Sequence, residues 1–374
     1  MSRAERLLFS FLRLGLYGDA RENIVWAEAD DWDELFSLSC RQAVFGIVAD
    51  GIAMTAMRPP LALWQKWIAL LLHTEMMNEE MACQGDRLVG MLAADGIKAS
   101  VFKGTSVARW YPKPAHRSYG DIDIVVHEGW ERLAPLLQRK AIPYYEEDKA
   151  IVTEHLGHAR DAAQRFSSYD WQYRTEFHPV YEFIYNPLMN TRLRQITAGT
   201  STWWNARFGR SGRPYEVPEF YLACVLLHLR RHVLSYGTGL KQVCDVAVMV
   251  KYADVDLAKL RAILQHLGAW RFGKALLDFV KTYLYDERER PRGNSRGKAT
   301  GLLYGIFMGD GYALKTRRED VGNATRRSSL RIAKNCWFWT KRSLRLFRLM
   351  PNEAFSFMLY KTAQRVGKWC GQSI

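Results

Sequence analysis

Two neighbouring segments hold the residue types best suited to chemistry. The first is Phe102-Lys103-Gly104-Thr105-Ser106; the second, after a modest gap, is Arg117-Ser118-Tyr119-Gly120-Asp121-Ile122-Asp123-Ile124-Val125-Val126. In the second, acidic and apolar residues alternate with a period of two before the run becomes wholly apolar, the pattern of a buried strand with two carboxylates on one face. Residues i and i+2 of a strand lie about 7 Å apart and point the same way, so Asp121 and Asp123 can converge on one divalent ion. Two acids on an apolar strand repel each other and resist desolvation unless a cation or donors compensate. Mg²⁺ suits such a place, being held by few carboxylates and completed by phosphate oxygens.

The first segment supplies a seat for those phosphates. Ile97 to Phe102 reads as a strand, Lys103-Gly104 as a turn, and Thr105 to Tyr111 as a helix whose first amides point outward. Gly104 lets backbone approach an anion closely, Thr105 and Ser106 add hydroxyl donors, and Lys103 and Arg117 are the charge partners for a triphosphate. The pattern G-x-x-x-x-G-K-[ST] is absent, which excludes an ordinary P-loop ATPase.

Together, Lys103-Gly104, Arg117 and Gly120-Asp121-Ile122-Asp123 resemble the nucleotidyltransferases of the DNA polymerase β superfamily. More narrowly they are similar to a mostly bacterial family of uncharacterised nucleotidyltransferases. The resemblance takes in Ala94-Asp95-Gly96-Ile97, Glu176-Phe177-His178 and a helical segment from His228 to Asp245, so it covers roughly 25–250. It departs from the wider pattern where Thr105 follows Gly104 and in a long spacing from Gly104 to Asp121. The resemblance implies an α+β fold, a polymerase β-like core of small mixed sheet and helices flanked by N- and C-terminal helical regions. It also implies a third carboxylate on a neighbouring strand. Glu176, within the strand-like run Trp171 to Ile184, is the first choice, with Asp170 and Glu182 as alternatives. Asp121, Asp123 and Glu176 would then be the catalytic and metal-holding acids, for two Mg²⁺ ions. Lys103, Gly104, Thr105, Ser106 and Arg117 would bind the nucleoside triphosphate, ATP for preference. The implied reaction passes a nucleotidyl group to an acceptor hydroxyl and releases pyrophosphate. The acceptor stays open among RNA, protein, small molecule and sugar. His178, two residues past Glu176, could orient phosphate or metal, or serve as a structural histidine.

Other motifs are weaker. His228 and His232, spaced i, i+4 on a helix from Phe220 to Leu234, could bind zinc together, a weak candidate site. Leu229 and Arg230 replace the glutamate of H-E-x-x-H, which excludes a metalloprotease. His155 and His158 read the same way. Lys241 and Asp245 form an i, i+4 pair, with a substrate-facing role for Asp245 as a secondary reading.

The elements that must position these groups are mostly helical. Helices are expected over Arg3 to Tyr17 (amphipathic, not a signal peptide, since Arg13 interrupts its apolar run), Trp32 to Ala56, and Leu61 to Ala94 after Pro59-Pro60. Glu146 to Ser168 is expected to form a helix and loop over the site, and helices resume from Pro218 to Tyr285 with a break at Tyr236 to Gly239. Asp286 to Thr300 reads as a linker. The expected domains are an N-terminal helical region 1–94, the α/β core 95–200, a helical region 201–290 completing the cleft, and a basic helical region 291–374. In a chain of 374 residues with net charge +14, the last region holds 17 Lys and Arg against 4 Asp and Glu, hence +13. Arg326 to Met350 reads as a basic amphipathic helix that either packs on the catalytic unit or meets a polyanion such as RNA or an anionic membrane surface. The latter two open the alternative of a catalytically inactive binding protein of this fold. Six cysteines without C-x-x-C spacing fit a reducing cytoplasm, peripheral membrane contact aside. No apolar run reaches the ~20 residues needed to span a bilayer.

Overall fold

A capping box starts the chain in the computed structural model. The Ser2 hydroxyl accepts from the Glu5 amide at 3.2 Å, the Glu5 carboxylate accepts from the Ser2 amide at 2.6 Å, and α1 (Arg3–Tyr17) runs until Gly18 closes it at φ 70°. The structure describes residues 1–18, 29–147, 150–153, 173–209, 214–235, 237–285, 297–310 and 329–369. They fall into two compact units, one of Met1–Ser39 and Val44–Tyr181, the other of Cys40–Ala43 and Glu182–Ile374.

In the first unit α1 is buried from Leu7 through Leu16 except at Arg13, and Arg3, Arg6, Arg13 and Tyr17 follow one another at helical spacing along its more exposed side, so the expected amphipathic helix packs its apolar face into the core. Its closest neighbour is α3 (Phe45–Ala53). A Cβ on Gly15 would lie 2.1 Å from the Ile47 carbonyl oxygen, and one on Gly51 2.0 Å from that of Phe11, so only glycine permits the crossing. The single helix expected over Trp32 to Ala56 is two, α2 (Ala29–Arg41) and α3. Ala43 takes φ 54°, which ends a helix, and the Gln42 amide is engaged elsewhere, accepting from Leu240 N at 2.8 Å and donating to the Phe307 carbonyl at 2.9 Å.

α4 (Leu61–Ala94) follows Pro60, and Gly96 at φ 71° turns the chain into β1 (Lys98–Phe102). α5 (Gly104–Ala108) is shorter than the expected helix to Tyr111, because Pro112 biases the residue before it away from helical backbone. Next come β2 (Ile122–Glu128) and α6 (Trp130–Arg139). Where a helix and loop were expected over 146–168, β3 (Tyr145–Glu147) and β4 (Ala150–Thr153) pair antiparallel, β4 being apolar and β-branched; residues 154–168 lie outside the described residues. The expected strand Trp171 to Ile184 shrinks to β5 (Thr175–His178), which Pro179 terminates.

The sheet order is β1-β2-β5-β4-β3, parallel only between β2 and β5. Ile122, Ile124, Val126 and Phe177 face a core shared with Met81, Leu88 and Leu92 of α4 and Leu133, Leu136 and Leu137 of α6. By strand alternation Asp123, Glu176 and His178 stand on the opposite face. This is a mixed α+β fold with a small sheet and flanking helices, as the sequence led one to expect.

The second unit is helical among its described residues: α7 (Pro187–Thr197), α8 (Thr202–Phe208), α9 (Pro218–Ser235), α10 (Leu240–Tyr252), α11 (Leu257–His266), α12 (Trp270–Tyr283), α13 (Lys298–Gly305), α14 (Ser329–Leu346) and α15 (Pro351–Trp369). Most of α9 is buried. Its Arg230 meets Glu353 of α15 at 3.5 Å, and that carboxylate also accepts from Tyr185 N at 2.8 Å and Asn186 N at 3.3 Å. Of the expected linker, 286–296 lies outside the described residues. The basic helix is α14, where Trp337 is 70% and Leu344 64% exposed on a face that also carries Lys341 and Arg345. Among the described residues, no helix is long and apolar enough to cross a membrane.

Gly51→Ala forces α1 and α3 apart. The expected loss is about 2–3 kcal/mol of stability, read as a lower midpoint in thermal or urea unfolding, with Ala49→Gly on the same helix costing only about 1 kcal/mol.

Candidate active site

Strand register builds the site. Phe102 of β1 and Glu176 of β5 both sit directly opposite Asp123 of β2, and His178 sits opposite Val125. Two acids 53 positions apart in sequence therefore become lateral neighbours, and parallel pairing points their side chains to one face.

On that face His178 Nε2 lies 2.8 Å from Asp123 Oδ1 and 3.6 Å from Glu176 Oε2. Lys103 Nζ is 3.5 Å from Asp123 Oδ1, and Arg174 donates to Glu176 Oε1 from Nε at 2.9 Å and from its terminal nitrogen at 2.8 Å. The Asp123 and Lys103 side chains are only 11% and 12% exposed. Burial of that degree strengthens the attraction among these groups and makes loss of either sign costly. Ligand atoms of Asp123, Glu176 and His178 all lie within 4.8 Å of one another, the one such metal-capable group among the described residues.

Lys103 reaches the carboxylates through unusual backbone. Its φ is 60° and ψ −152°, a region that costs a non-glycine residue on the order of 1–3 kcal/mol. The conformation makes the turn from β1 into α5. The Ser106 and Val107 amides close on the Lys103 carbonyl at 2.8 and 3.3 Å, so the amides ahead of α5 are those of Gly104 and Thr105. Gly104 is packed against the start of β2, where an added Cβ would meet the Asp121 carbonyl oxygen at 3.6 Å.

Asp121 immediately precedes β2, where Ile122 N donates to the Arg174 carbonyl at 3.0 Å, and it is not part of the three-residue group as the side chains stand. Arg117 is buried, its guanidinium 5.7 Å from the centre of the Tyr119 ring. Asn78 of α4 holds this segment by donating to the Ala115 carbonyl at 2.6 Å and that of Arg117 at 2.9 Å. Just before it, His116 is fixed from both sides, Nδ1 to Asp50 at 2.8 Å and Nε2 to Glu75 at 2.6 Å, while Lys113 reaches Asp50 at 2.7 Å. Burial and, less, the Lys113 charge lower the His116 pKa, but the hydrogen bonds to Asp50 and Glu75 and the charge of Asp50 outweigh them and leave the pKa raised above the ordinary value.

Of the alternatives for the third acid, Glu176 joins the group and Glu182 does not. Glu182 belongs to the second unit and pairs with Arg231 at 3.0 Å and His228 at 2.9 Å. Asp170, His155 and His158 lie outside the described residues. Asp245 is buried within α10. Three polar residues near the site carry no sequence expectation: Arg174, His116 and His127. His127 holds Ser100 Oγ at 2.9 Å and Tyr181 Oη at 3.3 Å. Arg174 could have been found by period two, since it lies two residues before Glu176. The partners of His116 carry no local signal. A cavity of about 420 Å³ beside α4, lined by Glu79, Glu80, Cys83, Arg87 and Tyr173 among others, contains none of the acidic group. In it the Tyr173 hydroxyl donates to Glu80, and burial together with that carboxylate pushes its pKa up to about 12.

A family model described as an uncharacterised nucleotidyltransferase matches residues 28–284, a stretch that runs through both units. No curated protein and no solved structure matches the chain.

The Asp50, His116 and Glu75 arrangement makes stability depend on pH. A histidine whose folded pKa is raised stabilises the fold fully below its unfolded pKa of about 6.5 and loses that contribution as pH rises through the folded value. Thermal unfolding of the wild type should therefore lose stability on going from about pH 6 to pH 8.5 relative to His116→Gln, whose own baseline is lower by about 1–3 kcal/mol at pH 6. Parallel profiles for the two proteins would contradict this.

Proposed function

Since the chain belongs to the family of uncharacterised nucleotidyltransferases, transferases of phosphorus-containing groups, we propose that it transfers an NMP group from an NTP, ATP for preference, to an acceptor hydroxyl with release of pyrophosphate. The observation that carries this reading is the register Asp123 opposite Glu176 on parallel strands, with His178 and Lys103 in reach of the same oxygen. Residues 95–200 are the catalytic core in this reading.

The residues fit a divalent ion. Two carboxylates and an imidazole with ligand atoms inside 4.8 Å form an oxygen-dominated donor set on the polar face of an otherwise apolar sheet. Asp121, Asp123 and Glu176 would hold Mg²⁺, with His178 beside them. When bound, two such ions supply charge neutralisation at a triphosphate and make an acceptor hydroxyl easier to deprotonate.

The chain's own groups do the rest. His178 holds the Asp123 carboxylate in one rotamer, and Arg174 does the same for Glu176. Lys103, held beside Asp123 by its backbone turn, would balance charge that builds on the leaving pyrophosphate. The Gly104 and Thr105 amides and the Thr105 and Ser106 hydroxyls bind equatorial oxygens. Arg117 lends its charge from a buried position that Asn78 and the His116 clamp keep fixed. The basic C-terminal region serves as a contact for a polyanionic acceptor or an anionic surface, supported by the exposed Trp337 and Leu344 beside Lys341 and Arg345. Cys40, Cys83, Cys224 and Cys244 form no disulfide among the described residues, in keeping with a reducing, cytoplasmic setting.

The test is transfer of label from each α-³²P NTP with Mg²⁺ into RNA, protein, sugar and small-molecule fractions. Wild type should label one class, naming the acceptor, and Asp121→Asn/Asp123→Asn should fall to background. Lys103→Met should lose about 10²-fold in kcat with a smaller change in KM. Absence of transfer from folded wild type into every fraction would sink the reading in favour of an inactive binding protein. Separately, Lys341→Glu/Arg345→Glu/Arg348→Glu should leave a polyanion resin at clearly lower salt than wild type.

A further inference from the structure

We propose that His228 and His232 of α9 form a second metal site, for a transition-metal dication of the zinc class, with Glu182 as the residue that positions His228. The two histidines stand one turn apart on one helix face, and their Nε2 atoms converge to 2.9 Å, with ring centroids 4.4 Å apart. Two imidazole nitrogens that close share one proton between them, and a metal ion takes the place of that proton.

The tautomer follows from the surrounding bonds. The Glu182 carboxylate is 1% exposed, pairs with Arg231 at 3.0 Å and also accepts from Phe183 N at 2.9 Å. Its other oxygen lies 2.9 Å from His228 Nδ1, so Nδ1 carries the hydrogen and Nε2 presents its lone pair toward His232. A carboxylate that fixes the far nitrogen of an imidazole is the usual outer partner of a zinc-bound histidine and raises its basicity. Arg231 lies 3.4 Å from His228 Nδ1, but its charge is balanced by Glu182 and does not oppose a cation at Nε2.

The geometry needs little adjustment. Tetrahedral zinc with Zn–N bonds of about 2.0–2.1 Å separates its nitrogens by about 3.3 Å, so the rings need part by only a few tenths of an ångström. The His228 side chain keeps 16% exposure, which leaves a path for the ion. Two protein nitrogens select zinc, cobalt, nickel or copper over Mg²⁺, and leave coordination positions for water or a substrate oxygen. With two protein nitrogens the site is chemically distinct from the oxygen-dominated group at Asp123.

Co²⁺ and Zn²⁺ titration of the full chain tests the proposal without reading nucleotide transfer, so it stands or falls apart from the proposed function. In an Asp123→Asn/His178→Ala background, which removes the other cluster, one equivalent of Co²⁺ should bind, give visible ligand-field absorption and be displaced by Zn²⁺. His228→Ala and His232→Ala should each weaken binding at least about 100-fold. Glu182→Gln should keep the stoichiometry and weaken affinity about 10- to 100-fold. Unchanged affinity in that variant would overturn the role of Glu182, and binding indifferent to both histidine variants would overturn the site. Because a buried substitution can unfold the chain, zinc-edge anomalous scattering from wild-type crystals soaked in Zn²⁺ provides a measurement free of variants. A peak at the His228 and His232 nitrogens supports the site, and its absence there overturns it.

Discussion

Parallel pairing of β2 with β5 is the constraint on which the proposed active site rests. It sets Asp123 against Glu176 and aligns His178 one pleat further along, while Ile122, Ile124 and Phe177 enter the core beneath. A slip of one residue would drive the carboxylates into that core and the isoleucines out, so the apolar packing of α4 and α6 enforces the chemical register. Core and site are the two faces of one ladder.

Close carboxylates on a partly buried sheet face need compensation, and the structure supplies it from three directions. Lys103 arrives from the end of β1, Arg174 from the approach to β5, and His178 from β5 itself. The first of these depends on backbone at φ 60° in a lysine. Such strain persists only when the surroundings over-determine it, here by β1 pairing on one side and the closed turn of α5 on the other. Below, the His116 clamp joins α3 and α4 to the segment leading into Arg117 and on to Asp121, so the helices set the direction from which β2 enters.

Much of this was legible in the residues. Period-two alternation located β2, Pro59-Pro60 and Gly96 bounded α4, and the resemblance carried by Lys103-Gly104 and Gly120-Asp121-Ile122-Asp123 pointed to Glu176, which the strand register sets beside Asp123. Misreadings came where local pattern competes with tertiary demand. Trp32 to Ala56 has helical periodicity throughout, but the Gln42 amide finds Leu240 and Phe307, and Ala43 turns left-handed.

The sequence by itself determined which residues alternate, which caps open helices and where the positive charge concentrates, because these are local properties read within a few residues. Only the tertiary structure decided that His178 joins Asp123, that Arg174 secures Glu176, that His116 lies between Asp50 and Glu75, and that Glu182 turns instead to His228. Each of those pairs joins side chains through strand register or helix packing, and the register is selected by the apolar face that must be buried, not by the polar residues it brings together.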